Sequence, residues 1–292
     1  MKAAAFAYAR AKSVDDALQL LAAHGDRAKV LSGGQSLMPA MNLRLISPEP
    51  IVDIGGISEL QGIVVQGDIL SIGALTRHVD IQRSAEIAAY APLLAEAIAY
   101  VAHPAIRNRG TLGGSLAHAD PAAELPACML ALDATIVVHG TGGDRRVAAV
   151  DFFEGIFQTA LSAEELLVAV ELPIARKDGL HYFHEFARRH GDYAIAGLAA
   201  HADIKAGVFA ELRPVFFAVG DRPLLARGAD RLINVAVTPK LLSEVSGAVG
   251  DALNPQDDQQ ASASMRRHLA QVLFRRCVAT MLDRPELARG TA

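Results

Sequence analysis

Ile106 to Pro126 reads IRNRGTLGGSLAHADPAAELP, a glycine pair flanked by hydroxyls, acids and arginines inside an otherwise apolar chain. It reads as a phosphate-cradling loop. Gly113 and Gly114 have no Cβ, so the backbone there can take positive φ and let a ligand approach its N–H groups. Thr111 and Ser115 add hydroxyls on either side. A lone glycine pair is equally plain loop punctuation. A second stretch, Lys29 to Pro39 (KVLSGGQSLMP), strengthens the phosphate reading. Here Lys29 and apolar Val30-Leu31 lead through Ser32-Gly33-Gly34-Gln35-Ser36 to Leu37-Met38. Two such loops can grip the phosphates of one dinucleotide with backbone N–H groups and without lysines.

The common nucleotide signatures are missing: no GxGxxG joins a strand to a helix, and no GxxxxGK[ST] occurs. Gly140-Thr141-Gly142-Gly143 lies between apolar Thr135–Val138 and Val147–Val150 and reads as a hairpin turn.

Ser32-Gly33-Gly34-Gln35-Ser36-Leu37-Met38-Pro39, with His103-Pro104-Ala105-Ile106-Arg107-Asn108-Arg109-Gly110-Thr111-Leu112-Gly113-Gly114-Ser115, resembles the flavin-binding medium subunit of the molybdenum hydroxylases. That family includes the carbon monoxide dehydrogenase medium subunit and the flavin domain of xanthine dehydrogenase. Asp151-Phe152-Phe153-Glu154-Gly155, Glu165-Leu166-Leu167 before Pro173, and Ala187-Arg188-Arg189-His190-Gly191-Asp192-Tyr193-Ala194 match in order, so the resemblance spans essentially the whole chain.

The resemblance implies an α+β fold: a two-lobed FAD-binding domain of the vanillyl-alcohol-oxidase type, then a C-terminal antiparallel sheet with helices. The expected divisions are a small lobe over 1–55, a second lobe over 56–176 and a C-terminal domain over 177–292. By position, Lys29, Val30, Leu31, Ser32, Gly33, Gly34, Gln35 and Ser36, with Thr111, Gly113, Gly114 and Ser115, would hold the FAD pyrophosphate and neighbouring sugar. Asp120 and Glu124 would lie near ribityl or ribose hydroxyls, though Asp120-Pro121 also reads as a capped helix start. His103 and Ile106 would line the adenine or sugar side, or His103 could only cap carbonyls. Leu167 would lie near the cofactor. Tyr193 would cover the flavin ring, or simply begin a strand after a solvated turn. Three departures stand out: Ser115 for asparagine, Gln35 for histidine or asparagine, and His184 for the lysine of the xanthine dehydrogenase pattern.

At 292 residues, 51% of them hydrophobic, the chain has ample core. Cys128 and Cys277 sit far apart in apolar helical settings and read as buried free thiols, which suits a reducing cytoplasm. Two cysteines cannot hold an iron–sulfur cluster alone. His181 and His184 have no ligand set around them and read as surface or packing residues, so no metal is expected on this chain. The net charge of −4, without a basic tract, argues against nucleic acid. No run approaches the length of a membrane span, and MKAAAFAYAR lacks a signal-peptide pattern. A cytoplasmic location is expected.

In chain order, Ser13 caps a helix whose buried side is Ala17, Leu18, Leu20 and Leu21. Strands follow at 28–31 and 51–54, a hairpin at 63–72, and helices at 76–84, 92–101 and 121–132. A strand pair is expected at 134–139 and 146–150, and a strand at 166–172. Arg176-Lys177-Asp178-Gly179 reads as a linker. Strands at 182–187, 194–204 and 214–219 suit an antiparallel sheet, and helices at 239–252 and 262–282 close the chain. Leu269, Val272, Leu273 and Met281 give the last helix a core stripe.

No catalytic constellation is present. The resemblance therefore implies an electron-relay subunit. A large molybdopterin subunit would oxidise substrate, a small subunit would carry [2Fe–2S] clusters, and FAD here would pass electrons to an external acceptor. Assembly as a dimer of heterotrimers is the family expectation. Two other readings stay open: an independent FAD-dependent oxidase or reductase, and an assembly subunit that has lost its cofactor.

Overall fold

The computed structural model describes residues 2–47, 49–174 and 179–288. Its first part contains β1 (Tyr8–Arg10), α1 (Val14–His24), β2 (Lys29–Leu31), α2 (Leu37–Asn42) and β3 (Ile51–Asp53). The strands form a parallel sheet in the order β1-β3-β2. As expected, Ser13 Oγ accepts the Asp16 N–H at 3.1 Å at the start of α1. Ala17, Leu18 and Leu21 then pack with Val52, Ile54, Ile57 and Leu60 in a small core. Tyr8–Arg10, which sequence reading left without structure, is an edge strand held by β3. Its two exposed ends, Tyr8 and Arg10, hide the strand pattern.

The second part runs through β4 (Ile63–Gln66), β5 (Ile69–Gly73), α3 (His78–Arg83), α4 (Ala85–Tyr90), α5 (Pro92–Ala97) and α6 (Pro104–Arg107). It continues with α7 (Leu112–His118), α8 (Glu124–Ala131), β6 (Thr135–Gly140), β7 (Gly143–Ala148), α9 (Ala149–Phe152), β8 (Phe153–Gly155), β9 (Gln158–Thr159) and β10 (Leu166–Pro173). One antiparallel sheet has the order β4-β5-β10-β6-β7. Both expected hairpins form, with Gly67 at φ +59 between β4 and β5 and Gly140 paired to Gly143. Helix α3 begins at His78 because Arg77 bridges to Thr111 in extended conformation. Helix α8 begins at Glu124 rather than at 121, since Asp120 Oδ1 accepts the Ala122 N–H at 2.9 Å and turns the chain first.

The last part is an antiparallel sheet of β11 (Leu180–Phe186), β12 (Ala196–Lys205), β13 (Val208–Phe217) and β14 (Leu224–Leu225), in that order. Helices α10 (Pro239–Asp251) and α11 (Ala263–Met281) follow. Strand alternation sends Phe183, Ala199, Val215 and Phe217 to one face, which shares a core with α5, α8 and the five-stranded sheet. Leu198, Ala200 and Phe216 face the other way, against α10 and α11. Within α11, Leu273 and Met281 are buried and Leu269 is half-buried beside them. Cys128 and Cys277 are buried free thiols. Of the expected linker, Arg176, Lys177 and Asp178 lie outside the described residues.

Candidate functional site

The two glycine stretches meet although 79 residues separate their hydroxyls: Ser32 Oγ and Thr111 Oγ1 are 2.7 Å apart. Parallel strand β2 delivers the first stretch. Its chain turns at Gly34, where φ is +70, and enters α2. Gly33 lies so close to the second stretch that a Cβ there would collide with the Arg109 carbonyl and stand 2.9 Å from Gly110 Cα. Among the described residues, the N–H groups of Gly33, Gly34, Gln35 and Ser36 donate to no protein acceptor. They are free for an anion. Gln35 Nε2 donates to Gly33 O at 3.1 Å and braces the turn.

The second stretch corrects the sequence reading. It is no tight turn: Thr111 caps α7, its Oγ1 accepts the Gly114 N–H at 3.1 Å, and neither Gly113 nor Gly114 has positive φ. The N–H groups are also already used, Leu112 by Thr76 O at 3.0 Å, Gly113 by Ala74 O at 2.8 Å, and Ser115 by Thr111 O at 3.1 Å. The glycines are there for close packing instead. A Cβ on Gly113 would stand 2.6 Å from Ala74 Cβ, and one on Gly114 would stand 2.7 Å from Thr111 Oγ1 and 3.6 Å from Ser32 Oγ. Backbone donors therefore come from the first stretch and a hydroxyl wall from the second.

Between them lies a cleft of about 490 Å³. Its lining includes Leu31, Ser32, Gly33, Gly34, Gln35 and Thr111, all singled out from sequence. It also includes Arg10, Arg77 and Arg109, which were not. Guanidinium groups suit phosphate oxygens, to which they can donate in pairs. Arg109 stood inside the opening motif, but no local pattern shows that Arg10 and Arg77 converge on it from β1 and from the residue before α3. Asp53 sits at the same cleft, accepting from the Tyr8 hydroxyl at 2.5 Å and the Gly55 N–H at 2.8 Å.

The other expected site residues fall elsewhere. Lys29 and Val30 are in β2, Ser36 is the exposed residue before α2, and Ser115 is half-buried in α7. Leu167 is a buried residue of β10. His103 precedes α6 without making a side-chain cap, and its ring fills the space over Gly191, where a Cβ would lie 2.6 Å from Cε1. Ile106 O accepts the Gly110 N–H at 2.7 Å, closing the turn before Thr111. Asp120 and Glu124 are half-buried and electrostatically linked to Tyr193, which is 63% exposed. Thus His103 lies against Gly191 in the turn before Tyr193, apart from the lining of the cleft.

One buried group supports the cleft from beneath. His78 lies under Thr111, 3.0 Å from its carbonyl oxygen. A carbonyl only accepts, so Nε2 carries the hydrogen, and Nδ1 is left buried with no partner among the described residues. Burial lowers this imidazole to about 4, against a raising contribution from the Thr111 bond and a lowering one from Arg107. Its neutral form favours folding fully above the ordinary value of 6.5, and the benefit is lost as pH falls toward 4, a span of roughly 3 kcal/mol. Urea unfolding between pH 7 and 4 should therefore lose less stability in His78→Gln than in wild type. Equal losses would remove His78 from this role.

The chain matches the family described as FAD binding domain in molybdopterin dehydrogenase over residues 4–175. Residues 181–281 match the CO dehydrogenase flavoprotein C-terminal domain. The chain belongs to the FAD-binding medium subunits of the molybdenum hydroxylases. Among these, the 6-hydroxypseudooxynicotine dehydrogenase complex subunit alpha of Paenarthrobacter nicotinovorans is 38% identical, with 97% of each chain covered. The structure of carbon monoxide dehydrogenase from Hydrogenophaga pseudoflava superposes with a TM-score of 0.95 at 34% identity, covering 97% of this chain and 99% of that one. Quinoline 2-oxidoreductase from Pseudomonas putida 86 gives 0.90 at 37% identity, with 97% and 99% covered.

FAD is accordingly the cofactor of this medium subunit, and the chain is part of an oxidoreductase. The cleft fits the group: the free N–H donors of Gly33, Gly34 and Gln35 on its lining, three guanidinium groups and a backbone surface bared at Gly33 suit a diphosphate. Bound FAD supplies redox chemistry that accepts electrons singly and releases them in pairs. Among the described residues there is no cluster able to hold a metal ion, and no helix is long and apolar enough to cross a membrane.

Proposed function

We propose that this subunit is the electron relay of a heterotrimeric molybdenum hydroxylase. Its FAD takes electrons from [2Fe–2S] clusters of a small subunit, while a large molybdopterin subunit oxidises the substrate. An external acceptor then receives the electrons, and the assembly is a cytoplasmic dimer of heterotrimers. The observation that carries the reading is the Ser32–Thr111 contact, which joins two distant stretches into one anion-binding cleft. Lys29 to Ser36 and Thr111 to Ser115 hold the diphosphate and neighbouring sugar, with Arg10, Arg77 and Arg109 as counter-charges. Asp120, Glu124, His103, Ile106 and Leu167 serve the rest of the cofactor, and Tyr193 covers the ring. The lobes over 1–55 and 56–176 enclose FAD, and 177–292 closes the site.

Relatives named for 6-hydroxypseudooxynicotine, caffeine, nicotine and carbon monoxide share 34–38% identity with this chain. Such different names on one medium-chain framework support the reading that substrate choice belongs to another subunit. The purified assembly should show flavin and iron–sulfur absorption, two further polypeptides and acid-released FAD. A lone chain that turns over a substrate with its own FAD would instead support an independent flavoenzyme. Tyr193→Ala should keep stoichiometric FAD but change the rate of flavin reoxidation. An unchanged rate with every acceptor tried would remove Tyr193 from the ring.

A further inference from the structure

Helix α11 begins its buried stripe with a charge. The stripe runs Arg266, Ala270, Leu273, Phe274 and Cys277, and Arg266 is only 6% exposed. Burying a guanidinium is costly unless its donors are met. Nη2 pairs with Asp258 Oδ2 at 2.6 Å, and Nη1 donates to two main-chain carbonyls of other elements, Ile195 O at 2.6 Å and Ala218 O at 2.9 Å. Nε has no partner among the described residues. The side chain is therefore held by its two Nη groups.

Both carbonyls belong to segments that carry residues assigned above to the cofactor. Ile195 closes the loop between β11 and β12, its N–H donating to Phe186 O at 2.6 Å, and Tyr193 lies in that loop. Farther back, the loop rests on the chain after α5: the His190 ring stacks on Tyr100 at 5.7 Å, and Gly191 lies against His103 and Ala102 O. Ala218 follows β13 at φ +62, a conformation a residue with a Cβ keeps only where its surroundings enforce it. It is bonded on both sides, its N–H to Pro121 O at 2.8 Å and its carbonyl to Arg266. Pro121 follows Asp120, which is electrostatically linked to Tyr193. One guanidinium thus ties the segment bearing Tyr193 to the segment bearing Asp120.

We propose that Arg266 is a positioning residue for the flavin: through Ile195 O and Ala218 O it fixes the Tyr193 and Asp120 segments relative to each other, with Asp258 holding its second nitrogen. The inference rests on the placing of Tyr193 over the ring proposed above. A lysine would keep the charge and remove the orphaned Nε–H, yet it lacks the planar fork that meets two carbonyls and a carboxylate at once.

The test is the rate of flavin reoxidation in holoenzymes carrying Arg266→Lys, Tyr193→Ala or both, with backbone hydrogen exchange over 187–196 in the same proteins. Arg266→Lys should keep FAD, speed that exchange and change the rate at least about twofold, the lower end of what contacting groups show. The double variant should reoxidise like Tyr193→Ala alone, since no ring remains to be positioned. Asp258→Asn, at an exposed side chain, should move exchange and rate in the same direction, and it carries the test if Arg266→Lys does not fold. Arg267→Lys is the control, because Arg267 Nε donates to Leu253 O at 3.1 Å, a similar bond on the same helix that leads to neither segment. Its rate should stay that of wild type. An unchanged rate in Arg266→Lys where Tyr193→Ala alters it, effects that simply multiply in the double variant, or an equal change in Arg267→Lys would overturn the proposal. Faster exchange in Arg266→Lys, with a rate that neither it nor Tyr193→Ala moves, counts against the placing of Tyr193 over the ring and leaves the hold on its segment standing.

Discussion

Gly33→Ala should purify with little or no FAD while its circular dichroism stays that of wild type. The added methyl meets no flexible side chain. It is driven into the Arg109 carbonyl and to 2.9 Å from Gly110 Cα, both backbone, in the turn that Ile106 O closes by accepting from Gly110 N. Relief comes only by spreading the two stretches, which lengthens the 2.7 Å Ser32–Thr111 contact and opens the cleft. Overpacking of this kind costs about 1–3 kcal/mol. Taken from cofactor binding, that is about a 5- to 150-fold weaker affinity. Flavin absorbance per polypeptide after gel filtration reads the loss, and titration with added FAD gives its size. Gly142→Ala is the control, since nothing stands within 4 Å of a Cβ there. Full FAD occupancy in Gly33→Ala would show that the stretches do not close on the cofactor.

What was legible in the sequence follows from the range of the interactions. Helix α1 and α11 declare themselves through caps and stripes a few residues long, and the hairpin at Gly67 through turn chemistry between short apolar runs. Strand β1 does not, because three residues acquire their conformation only by pairing with Ile51–Asp53. The start of β13 was missed for a related reason: Glu211 and Arg213 break the apolar run, although Arg213 is settled by Asp133 at 2.9 Å. Within the site, the glycines were visible but their reason was mistaken. Positive φ explains Gly34, whereas Gly113 and Gly114 are small because Ala74, Thr111 and Ser32 lie against them. A contact partner dozens of residues away leaves no mark on the local pattern. The same holds for Arg10 and Arg77, whose neighbours in sequence say nothing of the cleft, and for His78, hidden beneath Thr111.

Gly114→Asp should abolish FAD retention, and its neutral isostere shows why. Both Asp and Asn put a Cβ 2.7 Å from Thr111 Oγ1 and 3.6 Å from Ser32 Oγ, so both disturb the hydroxyl that caps α7 and bridges the stretches. The carboxylate adds a charge facing the diphosphate. Two like charges about 4 Å apart repel by roughly 4 kcal/mol at the effective dielectric of a protein surface. That is on the order of a thousandfold in affinity beyond the steric loss. The Asn variant should therefore bind FAD weakly, and the Asp variant not at all at low ionic strength. Salt screens exposed charges over a few ångströms, so concentrated salt should restore some binding to Asp while leaving Asn unchanged. Equal affinities for Asp and Asn at low salt would mean that no negative charge is met beside Ser32 and Thr111. The diphosphate would then have to lie farther along the cleft, toward Arg10 and Arg77.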